Sequence, residues 1–101
     1  AAVANWSKTM ASELGAFGIT VNNVLPGATE TDRLKQIVKA KSDKLKVAED
    51  SVQQEMLAEI PMKRFGKAEE VANAVAFLAS PAAAYINGIN VPVDGGRTLS
   101  L

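Results

Sequence analysis

The chain has 101 residues, 48% of them hydrophobic and 22% charged, which is the profile of one ordinary folded domain and excludes a disordered or two-domain chain. Eleven basic and eleven acidic side chains cancel, so net charge points to no partner. Cysteine and histidine are both absent, which excludes a disulfide framework, thiolate chemistry, Ser-His-Asp and Cys-His triads and the usual zinc sites.

Residues 1 to about 15 read as a helix, with Val3, Trp6, Met10 and Leu14 on one stripe at spacings of three and four. Ala4, Ser7 and Ala11 form a second face of small residues suited to close packing. Ala1-Ala2-Val3 is helical in pattern from the first residue, with no capping side chain before it. Gly15 or Gly18 is expected to end the helix in the left-handed conformation. Ile19 to Leu25 is rich in β-branched residues and predicts a strand. Residues 32 to 60 are charged and helical in character. One helix there carries Leu34, Ile37, Val38, Lys41 and Leu45; a second carries Val52, Met56 and Ile60, with Asp50 or Ser51 as N-cap and Pro61 as its stop.

After a linking turn over 61–67, Ala68 to Ala79 is the clearest helix, with an apolar stripe of Val71, Ala74, Val75 and Leu78. Glu69 and Glu70 sit in its first turn, where negative charge complements the helix dipole. Ile89, Val91 and Val93 alternate with Asn90, Pro92 and Asp94 in a second strand, and Pro92 confines that strand to an edge or a bulge. Asp94-Gly95-Gly96 reads as a tight turn without chemistry of its own. Two strands joined by a helical crossover must be parallel if they share a sheet. Since two parallel strands are not stable alone, the expectation is an α/β fold whose remaining strands precede residue 1.

The candidate site is the stretch Gly18 to Asp32. Ligands of parallel α/β sheets bind at the carboxyl ends of strands. Here the strand breaks at Pro26-Gly27 and releases Ala28, Thr29, Glu30 and Thr31, a loop offering hydroxyls, free N–H groups and a close backbone approach for a flat ligand. The same threonines also fit a plainer role, capping the helix that starts near Asp32. Asn22 and Asn23 are unusual in a strand; they read as one amide satisfied by backbone groups and one strand-end residue. Residues 33 to 46 hold Arg33, Lys35, Lys39, Lys41, Lys44 and Lys46 against Asp43 alone. An anionic substrate, an acidic carrier protein or a nucleic acid would suit that charge, and a solvated face suits it better. No aromatic residue lies among these cations to stack a base, so no nucleic-acid partner is expected.

The order of motifs resembles the C-terminal part of the short-chain dehydrogenase/reductase family. Gly18-Ile-Thr-Val-Asn-Asn-Val-Leu-Pro-Gly27 is similar to its sixth strand, and Pro26 to Thr31 fits its Pro-Gly-x-x-x-Thr motif. Ile60 to Gly66, Glu69 to Ala72, Phe77 to Ser80 and Val93 to Gly96 resemble later signatures in the expected order. The resemblance implies the C-terminal part of a doubly wound Rossmann-type parallel sheet, with residues 1–101 in a single NAD(P)-binding domain and 32–60 as substrate-loop helices. It also implies that Ala1 follows directly on the catalytic Tyr-x-x-x-Lys. Pro26, Gly27, Ala28, Thr29 and Thr31 would then hold the nicotinamide end of NAD or NADP, with the Thr29 backbone on the carboxamide and the Thr31 side chain on the carboxamide or a nearby phosphate. No catalytic residue falls in this chain, because Tyr85 has Ile89 and not lysine four residues on.

The function implied is hydride transfer between a nicotinamide cofactor and a carbonyl or alcohol substrate, with the 101 residues inactive by themselves. An epimerase or dehydratase relative, or a non-catalytic oligomerisation or binding fragment, are the alternatives. A homotetramer of the parent is expected, with a dimer as runner-up. No apolar run approaches a membrane span and no signal-peptide pattern opens the chain, so a cytoplasmic protein without a membrane partner is expected.

Overall fold

The computed structural model describes residues 2–99, and the helical start expected at Ala1 lies outside them. Helix α1 (Ala2–Leu14) runs into a short 3-10 turn (Gly15–Phe17), closed by Gly18 in the left-handed conformation at φ 74°. Strand β1 (Asn23–Pro26) follows, then α2 (Asp32–Leu45), α3 (Glu49–Ala58), α4 (Ala68–Leu78), a second 3-10 turn (Pro81–Ala83) and β2 (Asn90–Val93). The two strands pair in parallel, Asn23 opposite Asn90 and Pro26 opposite Val93. This is the α/β arrangement expected, with helices packed about a parallel pair.

Strand β1 begins later than the β-branched run suggested, and amide side chains are the reason. The Val21 N–H donates to Asn87 Oδ1 at 2.9 Å, while Val21 C=O accepts from Gly88 N at 2.9 Å. Asn22 donates from Nδ2 to Ile86 C=O and accepts at Oδ1 from Ile89 N–H. Side chains thus make the bonds that a ladder would otherwise supply, so the ladder starts only at Asn23, whose N–H reaches Ile89 C=O. At the other end the strand runs through Pro26. Bonds from Asn23 N to Ile89 O and from Gly27 N to Val93 O put the odd-numbered residues of both strands on the shared edge. Pro26 and Pro92 fall on the outward side, where a missing N–H breaks no bond between the two strands.

The small face of α1 is the one that packs. Ser7 and Ala11 are buried, whereas Val3 and Trp6 are 71% and 63% exposed, and Met10 and Leu14 are half-buried. The large-residue stripe thus lies partly in solvent, while the small face, suited to close packing, is the one buried. Short side chains let α1 approach the strands closely enough for hydrogen bonds. Ser7 Oγ donates to Asn23 Oδ1 at 3.1 Å, Asn23 Nδ2 donates to Asn90 Oδ1 at 2.8 Å, and Asn87 Nδ2 donates to Ala11 C=O at 3.0 Å. Asn23 is therefore a cross-strand link as well as the first residue of its strand.

Helix α4 packs against both strands through half-buried Val71, Ala74 and Leu78, while Val75, expected on the same stripe, is half exposed. Helices α2 and α3 pack chiefly on each other around Val38 and Val52, which are 2% and 4% exposed. Helix α3 starts at Glu49 with Ala48 as N-cap, not at Asp50 or Ser51, so Asp50 lies in the first turn, where its charge meets the dipole. It ends at Ala58, three residues ahead of Pro61.

Candidate functional site

At the carboxyl end of β1 the chain turns outward at Gly27, whose N–H donates to Val93 C=O at 3.0 Å. A Cβ on Gly27 would lie 2.6 Å from Asp94 Cβ and 2.8 Å from Asp94 Cα. The absent side chain thus makes room first for the turn after β2.

The hydroxyls of the loop are engaged within it. Thr29 Oγ1 donates to Gly27 C=O at 3.0 Å and Thr31 Oγ1 to Thr29 C=O at 3.3 Å. Thr31 Oγ1 also accepts from Leu34 N–H at 3.3 Å, which makes Thr31 the N-cap of α2, the plainer of its two sequence readings. Its Cβ-side oxygen is therefore a structural acceptor and not a free group.

The backbone is the part of the loop left open. Thr29 forms an isolated parallel bridge with Gly66, in which Glu30 N–H donates to Gly66 C=O at 2.7 Å and Gly66 N–H donates to Ala28 C=O at 3.0 Å. In such a bridge the N–H of the central residue points away from its partner. Among the described residues the Thr29 N–H has no hydrogen-bond partner, and neither have the N–H groups of Ala28 and Thr31 or those of Asp32 and Arg33 in the first turn of α2. Half-buried Thr29 therefore presents an unused donor at a strand end, beside a helix N-terminus.

Two neighbouring segments fix this loop. The segment before α4 carries Arg64, whose Nη1 and Nη2 meet the two carboxylate oxygens of Glu70 at 2.7 and 2.8 Å. Glu70 Oε1 also accepts from the Lys67 N–H at 2.9 Å. The Arg64 hydrogen bond is the main reason, and the Lys67 N–H the second, that the Glu70 carboxyl is held down to about 2. In the turn after β2, Asp94 accepts from the N–H groups of Gly96 and Thr98, each at 3.0 Å. Hydrogen bonding from Thr98 is the chief cause that keeps its carboxyl below the ordinary value. The Met62 N–H donates to Gly95 C=O at 3.1 Å and joins the two segments. Gly66 and Arg64 escaped the site prediction because nothing near Pro26 in sequence marks them; Glu70 was legible only as a first-turn acid.

The basic residues of 33–46 are all exposed, and among the described residues none forms an ion pair. Lys41 and Lys44 share a groove between α2 and α3 with Glu55 and Glu59, so the charge there is mixed. Among the described residues no cluster of acidic side chains could hold a metal. No described helix is long and apolar enough to cross a membrane.

A family profile described as enoyl-(acyl carrier protein) reductase matches residues 1–98. The chain belongs to the short-chain dehydrogenase/reductase family. Within that family it is 39% identical over 100 residues to the 3-oxoacyl-[acyl-carrier-protein] reductase of Pseudomonas aeruginosa, covering 99% of this chain and 36% of the relative. Among solved structures it is similar to YwfH, an NADPH-dependent reductase involved in bacilysin biosynthesis, at 40% identity and a TM-score of 0.90, over 99% of this chain and 38% of that one. An Agrobacterium tumefaciens dehydrogenase solved with bound NADP matches at 36% identity and a TM-score of 0.78, over 94% of this chain and 35% of that one. The chain thus spans about a third of the length of the relatives it matches. As a short-chain dehydrogenase/reductase segment, its two strands belong to a partial Rossmann-type sheet that α4 flanks.

Proposed function

We propose that the protein carrying this chain is an NAD(P)-dependent oxidoreductase that interconverts a carbonyl and an alcohol, and that Pro26, Gly27, Ala28, Thr29 and Thr31 hold the nicotinamide end of its cofactor. The observation that carries the reading is the unpartnered, half-buried Thr29 N–H at the carboxyl end of a parallel strand. A carboxamide is a group that such a donor fits. When bound, the cofactor supplies or accepts the hydride.

The chain's own work is positioning. The Thr29 N–H fixes the carboxamide, and with it which face of the ring is presented, lowering the entropic cost of bringing the reacting atoms together. Thr31 acts indirectly: its Oγ1 caps α2 and fastens Thr29 C=O, and so shapes the loop that aims the donor. Helices α2 and α3 lie directly downstream with their cations exposed, and in this reading they cover the substrate. Proton transfer requires a general acid outside these 101 residues, so this segment alone turns nothing over. The exposed Val3 and Trp6 support assembly into a homotetramer, which light scattering on the full-length protein tests directly. A cytoplasmic location accords with this chemistry, and fractionation of the native host checks it.

The decisive test titrates the full-length protein with NADH and with NADPH and follows their oxidation on a panel of carbonyl compounds. Binding of at least one dinucleotide with carbonyl-dependent oxidation is expected; binding of neither sinks the reading. Thr29→Pro removes the open donor while sparing both bonds of the Gly66 bridge, which use Ala28 C=O and Glu30 N–H. Loss of that donor is expected to weaken the dinucleotide by about tenfold.

A further inference from the structure

Gly66 is the partner that gives Thr29 its orientation, yet its own steric contacts do not hold it. A Cβ there would sit 3.8 Å from both Ala28 O and Thr29 Oγ1, ordinary contact distances, so the backbone is not wedged in place. Glycine is also the residue with most conformational freedom to lose. Its two bridge bonds, to Ala28 and from Glu30, keep their register only if the segment on either side is also held.

The flanking hydrogen bonds hold those segments. Arg64 Nη1 donates both to Glu70 Oε1 and to Phe65 C=O, the latter at 3.2 Å. The same Glu70 oxygen holds the Lys67 N–H. Arg64 and the Lys67 N–H are thus tied to one carboxylate from α4 and Phe65 C=O to Arg64, with Gly66, itself bonded to Ala28 and Glu30, between them. The pair is exposed, with Arg64 and Glu70 side chains 47% and 39% accessible, and exposed ion pairs add little to stability. What this one supplies is geometry, since a guanidinium fork fixes direction as well as distance.

We propose that Arg64 is a positioning residue for the dinucleotide site: through Glu70 it holds Gly66 in register with Ala28 and Glu30, and thereby aims the Thr29 N–H. The inference rests on the cofactor reading above.

The test uses the full-length protein with Arg64→Ala, Arg64→Lys and Glu70→Gln, the last keeping an acceptor for the Lys67 N–H while removing the charge. Dinucleotide Kd is expected to rise roughly tenfold in Arg64→Ala and about threefold in the two milder variants. The cofactor KM should rise in parallel, with kcat at saturating cofactor retained to within about twofold. Hydrogen exchange at the Glu30 amide should quicken, and the melting temperature of the unliganded protein should move little. Should Arg64→Ala fail to fold, Arg64→Lys and Glu70→Gln carry the same comparison. Unchanged Kd in the variants overturns the proposal, as does a fall in melting temperature with affinity intact, or a fall in kcat with KM unchanged. Wild-type protein that binds no dinucleotide overturns both the cofactor reading and this inference; wild type that binds, with variants that bind equally well, overturns the inference alone.

Discussion

Two regions leave the carboxyl end of β1 and are held by different physics. The loop Pro26–Thr31 is fastened by backbone bonds to Gly66, by the turn at Asp94 pressed against Gly27, and by its own threonine hydroxyls. The α2–α3 pair that follows it packs chiefly on itself, around Val38 and Val52. Directional bonds define a recognition geometry to fractions of an ångström, whereas a small apolar contact between two helices permits them to shift as a unit. A bonded loop beside an independently packed helix pair is what the proposed function would use, with one ligand fixed and the other enclosed.

The comparison can be broken most severely at Val38, which is 2% exposed. Val38→Asp buries an unpaired carboxylate and should cost the arm about 3–5 kcal/mol. Hydrogen exchange should then rise across α2 and α3 while Glu30 and Gly66 stay protected; equal loss in both regions would show that they are not separate. Gly27→Ala attacks the other side. With Asp94 Cβ at 2.6 Å and Cα at 2.8 Å from the new methyl, the turn must move, at about 1–3 kcal/mol of unfolding free energy. Denaturant melts would read that loss, and dinucleotide affinity should fall with it.

A smaller effect sharpens the boundary between the regions, where Thr31 caps α2. Thr31→Ala should cost about 1 kcal/mol and Thr31→Ser nearly nothing, by chemical denaturation, because serine keeps the accepting oxygen. The mildest test is pH. Glu70 falls from its ordinary 4.5 to about 2 in the folded protein. A depressed carboxylate adds stability above its unfolded value and loses it as pH falls through its folded one. Because the pair is exposed and screened the effect is small: melting temperature should hold from neutrality to about pH 5 and decline toward pH 2, only slightly less steeply in Glu70→Gln. An identical decline in the variant would remove Glu70 from the account.

Much of the fold was legible because it is local. The first-turn acids of α4 and the left-handed stop at Gly18 follow from neighbours in sequence, and the parallel pairing follows from the helical crossover that connects the strands. The loop after Pro26 was legible as the end of a parallel strand for the same reason, since a strand that breaks at Pro-Gly announces its carboxyl end. Its hydroxyls allowed two readings, because a threonine that can face a ligand can equally cap the next helix, and Thr31 does cap α2.

The amino-acid order alone determined the kinds of element, their sequence along the chain and the family to which the chain belongs. Tertiary structure decided which face of each element is used. Periodicity shows that α1 has an apolar stripe and a small-residue stripe, and only the approach of Asn23 and Asn87 selects the small one. Spacing likewise marks Thr29, but its donor is turned outward by Gly66, 37 residues away. Such choices rest on hydrogen bonds between distant segments, and the geometry of those bonds exists only once the chain has folded.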